Sequence, residues 1–212
     1  MDSLFNLWYT HILTPWEGGI ADRPLIDDPG GFTNKGVTIG VWREQAPKLF
    51  GIVGTEATLR NITKEQAQAI AYQTYWKFYG IDKIENSAIK LIVAESVWGG
   101  GGYSSLGYKS GTNSQRAAKI NADSTKNPKL FDQLVQNRLT YLRSLKNYQA
   151  NKNGWEKRVW KGDYRLSLTQ LVAKYKLNTV AKVAGISLLG ATALFFWVGQ
   201  FGNAMLNSLW QV

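Results

Sequence analysis

The sequence predicts a mainly helical protein in three parts. One domain covers residues 1–165, a linker and helix start cover 166–182, and an apolar helix that spans a membrane covers 183–212. Three observations carry this. Apolar side chains recur at helical spacing through most of the chain. Thr or Ser followed three residues later by Gln repeatedly marks a helix start. No charged side chain occurs after Lys182.

Phe5 to Leu13 reads as a helix with Leu4, Leu7, Trp8 and Ile12 on one face, and His11 as an ordinary helical side chain. Pro15 is expected to end or kink it, because proline disfavours helix at the preceding residue. Glu17 then falls just past the end. Gly36 to Trp42 is branched and aromatic and suits either a strand or a helix start, with Pro47 and Gly51 interrupting the stretch after it. Thr63 and Gln66 fit a capping box. Ala67, Ile70, Ala71, Thr74, Tyr75 and Phe78 continue that helix to a stop at Gly80, with Tyr75 and Trp76 expected in the core.

Ile89, Ile92, Val93 and Val97 form the next stripe, with Glu95 off it, a candidate second carboxylate or, more readily, a glutamate on a solvated face. Four glycines, Gly99 to Gly102, pack no side chain and suit a hinge, or a wall that something approaches closely. Gly107 to Pro128 reads as a polar loop. Asn127 and Pro128 then open a long helix with Phe131, Leu134, Val135, Arg138, Leu142 and Leu145 on one face. Gly154 to Trp160 closes the compact part, and Ser167 with Gln170 can cap a further helix. Val183 to Gly202 would be about 30 Å long as a helix, the thickness of a hydrocarbon core. Lys174, Lys176 and Lys182 precede that span, which places the N-terminal domain on the cytoplasmic side.

Composition narrows the chemistry. The chain has no cysteine and one histidine, which excludes a disulfide scaffold, a zinc ribbon and a cysteine nucleophile and leaves no basis for a histidine metal site. No cofactor is expected. The net charge is +10. Eight basic residues, including Arg138, Arg143 and Arg158, stand against Glu156 and Asp163 between Arg138 and Arg165, as a solvated or a polyanion-binding face. No nucleic-acid motif accompanies them, so nucleic acid is not an expected partner. Met1-Asp2-Ser3 lacks the basic start of a secretory signal.

The stretch from Trp16 to Thr38 carries the chemistry. A glutamate follows an apolar helix, and a loop rich in Gly, Pro and Asp follows the glutamate. Such a loop has a defined shape, and a carboxylate at a helix end beside it suits acid–base work.

Glu17-Gly18-Gly19 followed by Asp28-Pro29-Gly30-Gly31-Phe32-Thr33-Asn34-Lys35-Gly36-Val37-Thr38 resembles the signature of glycoside hydrolase family 108, the N-acetylmuramidases of phages and bacteria. Tyr75-Trp76 and Gly154-Trp155 with Arg158 resemble that family's later motifs, and the likeness covers about residues 4 to 165. It implies a lysozyme-like helical fold and cleavage of the β-1,4 bond after N-acetylmuramic acid, with Glu17 as general acid. It also implies substrate binding at Asp28, Thr33 and Tyr75, with Asp27 and Asp28 alternatives for the second carboxylate. A carboxyl in a partly apolar setting can hold the proton that a glycosidic oxygen needs to leave. Ile20 stands where the family has tyrosine, Ala94 where it often has aspartate, and Trp98-Gly99 where it has an asparagine-containing turn. The terminal apolar helix resembles the tether of murein-degrading proteins of lipid-containing phages. Expected partners are therefore bacterial peptidoglycan, a lipid bilayer of the virion or host, and other virion proteins.

Overall fold

The structure is a computed structural model that describes residues 2–17, 19–22, 30–162 and 165–179. Residues 1–181 form one compact, mainly helical unit. The expected membrane helix, residues 183–212, lies outside the described residues, as do Asp27 and Asp28. Among the described residues no helix is long and apolar enough to cross a membrane.

Asp2 caps α1 (Ser3–Trp8) by accepting from the Leu4 N–H. The helix then widens into a π turn, Tyr9–Leu13, and finishes as α2 (Thr14–Trp16). Of the two expectations for Pro15, ending or kinking the helix, the first does not hold, because the helix runs on through Thr14–Trp16. The wide turn leaves room for the proline ring beside the carbonyl four residues back. The Glu17 N–H still closes on the Leu13 carbonyl at 2.8 Å, so the helix ends on Glu17 itself.

A three-stranded antiparallel sheet comes next in the order β1 (Ile20–Ala21), β2 (Thr33–Asn34), β3 (Val37–Thr38). Lys35 and Gly36, both with positive φ, make the two-residue turn that joins β2 to β3. Both readings of Gly36 to Trp42 hold in part, because Thr38 ends the strand and caps α3 (Ile39–Phe50). Pro47 does not interrupt α3 as expected. It sits in the last turn and forfeits one hydrogen bond, and left-handed Gly51 terminates the helix.

The sheet and α3 share a small core with α4 (Glu56–Arg60) and α5 (Lys64–Ile70), built from Phe32, Val37, Trp42, Ala46, Leu59 and Ile70. Buried Asn34 fastens the hairpin to α4 by donating to the carbonyls of Leu59 and Arg60, both at 3.0 Å. The Thr63–Gln66 capping box forms as expected. Beyond α5 the helix widens again over Ala71–Lys77. The extra residue in that turn rotates Trp76 into the core and Phe78 outward, so Phe78 is 69% exposed rather than core-facing.

The larger core surrounds α6 (Ser87–Trp98), whose residues from Ala88 to Val97 are buried apart from Lys90. The expected polar loop 107–128 instead contains α7 (Asn113–Lys126), capped by a Thr112–Gln115 box. Its apolar contribution is limited to Ala117 and Ile120, too few to write a stripe. Next come α8 (Leu130–Ser144), α9 (Tyr148–Val159) and α10 (Leu168–Lys174). Ser167 and Gln170 cap α10, and Leu168, Leu171 and Val172 join the larger core. The Trp16 indole donates to the Leu166 carbonyl at 3.1 Å and ties this end of the chain to α2.

Replacing Thr112 with alanine removes the side-chain half of the α7 cap. It is expected to cost about 1 kcal/mol, measured as a shift in the urea midpoint at unchanged slope.

Candidate functional site

Glu17 stands at the end of α2, where the chain leaves helical geometry for the hairpin. Its side chain is 24% exposed. Arg158 of α9 holds it from within, donating from Nη1 to Glu17 Oε1 at 2.7 Å. The same Nη1 lies 3.9 Å from Oε2 of Glu95. Glu95 is buried on α6, and its other oxygen lies 3.6 Å from Arg138 of α8. Two carboxylates and two guanidiniums thus form one chain of opposite charges from the surface into the core.

Burial pushes the Glu95 carboxyl above the ordinary carboxylate value, against the pull of Arg158 and Arg138. Burial works in the other direction on Arg158, but Glu95 and Glu17 outweigh it and hold the guanidinium firmly charged. Arg138 is lowered by burial, partly offset by Glu95. It donates to the carbonyls of Gly100 at 2.6 Å and Gly99 at 3.1 Å. The glycine run is therefore a wall and its close visitor is Arg138. A Cβ on Gly99 would lie 2.6 Å from Arg138 Nη2, and one on Gly101 would lie 2.6 Å from the Tyr141 ring.

The outer wall is aromatic. A Cβ on Gly36 would meet the Trp98 ring at 2.7 Å and Glu17 Cβ at 3.2 Å, so only glycine lets the hairpin turn sit between them. Trp98 packs on Tyr75 with ring centroids 4.6 Å apart. Tyr75 is raised above the usual phenol value by burial, then by the neighbouring Tyr79 and the charge on Glu17. On its open side Glu17 borders a cavity of about 220 Å³ with Tyr9, Leu13, Thr14, Gly19, Lys35 and Lys64. Burial pushes the Tyr9 phenol up to about 12, so it faces the cavity as a neutral hydroxyl.

Residues 10–101 match the family model of glycosyl hydrolase 108. A solved structure of SagA from Brucella abortus shares the fold, with a TM-score of 0.56 at 18% identity, over 86% of this chain and 98% of that one. No curated protein matches the chain.

The glycosyl hydrolase 108 match contains Glu17, Gly36, Tyr75, Glu95 and Trp98, whereas Arg138 and Arg158 lie beyond it. Among the expected site residues, the structure brings Glu17 and Tyr75 to one wall. Thr33 lies on the central strand, where its hydroxyl donates to the Gly31 carbonyl at 3.0 Å. Asp28 and its rival Asp27 lie outside the described residues.

Two expectations need correction. Glu95 is not on a solvated face, because α6 is buried on all sides around it and has no solvent face there. A carboxylate in such a helix is itself a signal of a buried partner. Nor do Arg138 and Arg158 belong to a basic surface, since both are spent on the interior network. Arg143 is also engaged, pairing with Glu156 at 2.7 Å. Arg138 on the apolar face of α8 is the matching signal, whereas no local pattern links Arg158 to a glutamate at the other end of the chain.

Replacing Arg138 with methionine strands Glu95 and the carbonyls of Gly99 and Gly100. It is expected to cost about 3 kcal/mol or more, read from denaturant unfolding. A second expectation concerns pH. The folded protein holds the Glu95 proton to higher pH than the unfolded chain does. This contribution to stability is present below the ordinary carboxylate range and lost as pH rises through the raised value. Stability relative to the Glu95→Gln variant therefore falls across that window, and a difference that stays constant with pH contradicts the assignment.

Proposed function

We propose that this protein is a peptidoglycan hydrolase of the N-acetylmuramidase type, with Glu17 as the proton donor. The observation that carries the reading is the position of Glu17 at a helix end. It is held from behind by Arg158, open on the other side to a cavity, and walled by Trp98 and Tyr75. The match to a glycosyl hydrolase 108 model over residues 10–101 supports the reaction class.

In this reading the carboxyl of Glu17 gives its proton to the glycosidic oxygen as the bond from that oxygen to the anomeric carbon breaks. Positive charge builds on the sugar ring, and water adds to the anomeric carbon and releases a proton. Arg158 fixes the direction of the carboxyl. Glu95 holds the same guanidinium from behind. Thr33 keeps lone pairs for a water after donating to Gly31. Lys35 and Lys64 give the cavity a positive rim suited to the carboxylates of murein stem peptides.

The apolar run 183–202 and the lysines before it support a further part of the reading, a membrane-tethered lytic protein of phage origin. Retention of the full chain in the membrane fraction after alkaline carbonate washing tests the tether. Release by the wash argues against it.

The Arg158 bond also favours a second reading, in which Glu17 serves as the structural partner of Arg158 and the domain binds murein without cutting it. Purified sacculi separate the two. Wild-type protein is expected to clear them and release new reducing ends. Glu17→Gln is expected to lower the rate by about 10²-fold or more while binding persists. Binding without release of reducing ends by the wild type favours the second reading.

A further inference from the structure

A second cavity, of about 350 Å³, opens between α3 and the widened helix. Glu44 and Gln45 line one side, and Thr74, Tyr75, Phe78 and Tyr79 line the other. Phe78 is 69% exposed and meets Tyr79 edge-on at 5.3 Å, so this wall presents aromatic surface to water. The polar groups are of a matching kind. The Gln45 amide donates to Glu44 at 3.0 Å and keeps its carbonyl for a ligand, and exposed Gln73 brings a second amide to the lining.

Aromatic rings set among two amides and a carboxylate suit a pyranose. Its C–H faces pack on rings, and its hydroxyls both donate and accept. Packed side chains link this cavity to Glu17. Tyr75 lines it, Tyr75 packs on Trp98, and Trp98 and Glu17 flank the same glycine, Gly36. The widened turn that frees Phe78 from the core also delivers Tyr75 to this wall.

We propose that this cavity is a saccharide subsite, with Phe78 as its platform. It holds a sugar of the same glycan strand that reaches Glu17, an assignment that rests on the hydrolase reading above. The competing occupant, the peptide stem, lacks the flat apolar faces that an exposed ring selects.

The test uses the full chain and calorimetric titration with two probes, chitotetraose and a free murein stem tetrapeptide. The wild type and Glu17→Gln are expected to bind chitotetraose, Phe78→Ala to bind it about tenfold more weakly, and Phe78→Trp to restore it. Because Phe78 is largely exposed, its removal leaves the fold intact, which circular dichroism checks. Chitotetraose binding that is absent, or indifferent to Phe78→Ala, overturns the subsite, as does Phe78-dependent binding of the stem peptide instead. Failure of the subsite is distinguishable from failure of the enzyme. Phe78-dependent binding without clearing of sacculi keeps the subsite and removes the hydrolase. Glu17-dependent clearing with Phe78-independent binding does the reverse.

Discussion

One guanidinium holds the site together. Arg158 stands between Glu17 and Glu95, and so links the end of the first helix to the central helix through the ninth. Without a cation there, two carboxylates would face each other across a dry interior, and the one on α6 has no route to water. The cost of that arrangement is met by balance. Arg138 supplies the second positive charge, and it is steadied in turn by carbonyls of the glycine run. Each member is therefore placed by the next, and Glu17 inherits its orientation from the core rather than from its own exposed loop.

Close approach is the second constraint, and glycine supplies it at two kinds of place. Gly36 lets a tight hairpin turn enter between Glu17 and the Trp98 ring, which fixes the three-stranded sheet against the Glu17 side chain. Gly99 and Gly101 let Arg138 and Tyr141 press onto backbone from the opposite side. The two widened helical turns work in the same direction. One precedes Glu17 and the other carries Tyr75, so both walls of the candidate cleft come from segments whose register departs from a regular helix.

These features explain what the sequence reveals and what it hides. Local chemistry is legible. The Thr63–Gln66 cap, the left-handed stop at Gly80 and the place of Glu17 at a helix end all arise from neighbours a few residues apart. The same cap signal at Thr112 and Gln115 is hard to read, because α7 buries too little to show periodicity. A regular 3.6-residue count puts Phe78 in the core, but that count runs through a turn wider than it assumes. Placing Glu95 on a solvated face presumes that one exists, and α6 lacks it there. The pairing of Arg158 with Glu17 spans 141 positions, and no pattern of spacing encodes it.

The arrangement also separates rigidity from exposure in a way that suits acid catalysis. An acid on a flexible loop would need to find its direction at each encounter, losing much of the advantage of a positioned proton. Here the carboxyl is anchored through a charged chain whose deeper members are almost dry, while its own face remains open to the cavity. A bound sugar would then change only the outermost link, by removing water from Glu17. The inner links stay fixed, because Glu95 and Arg138 have no solvent to lose. Arg158 also lies within ion-pair reach of Glu95, so the link directly behind Glu17 is anchored on both sides of its guanidinium.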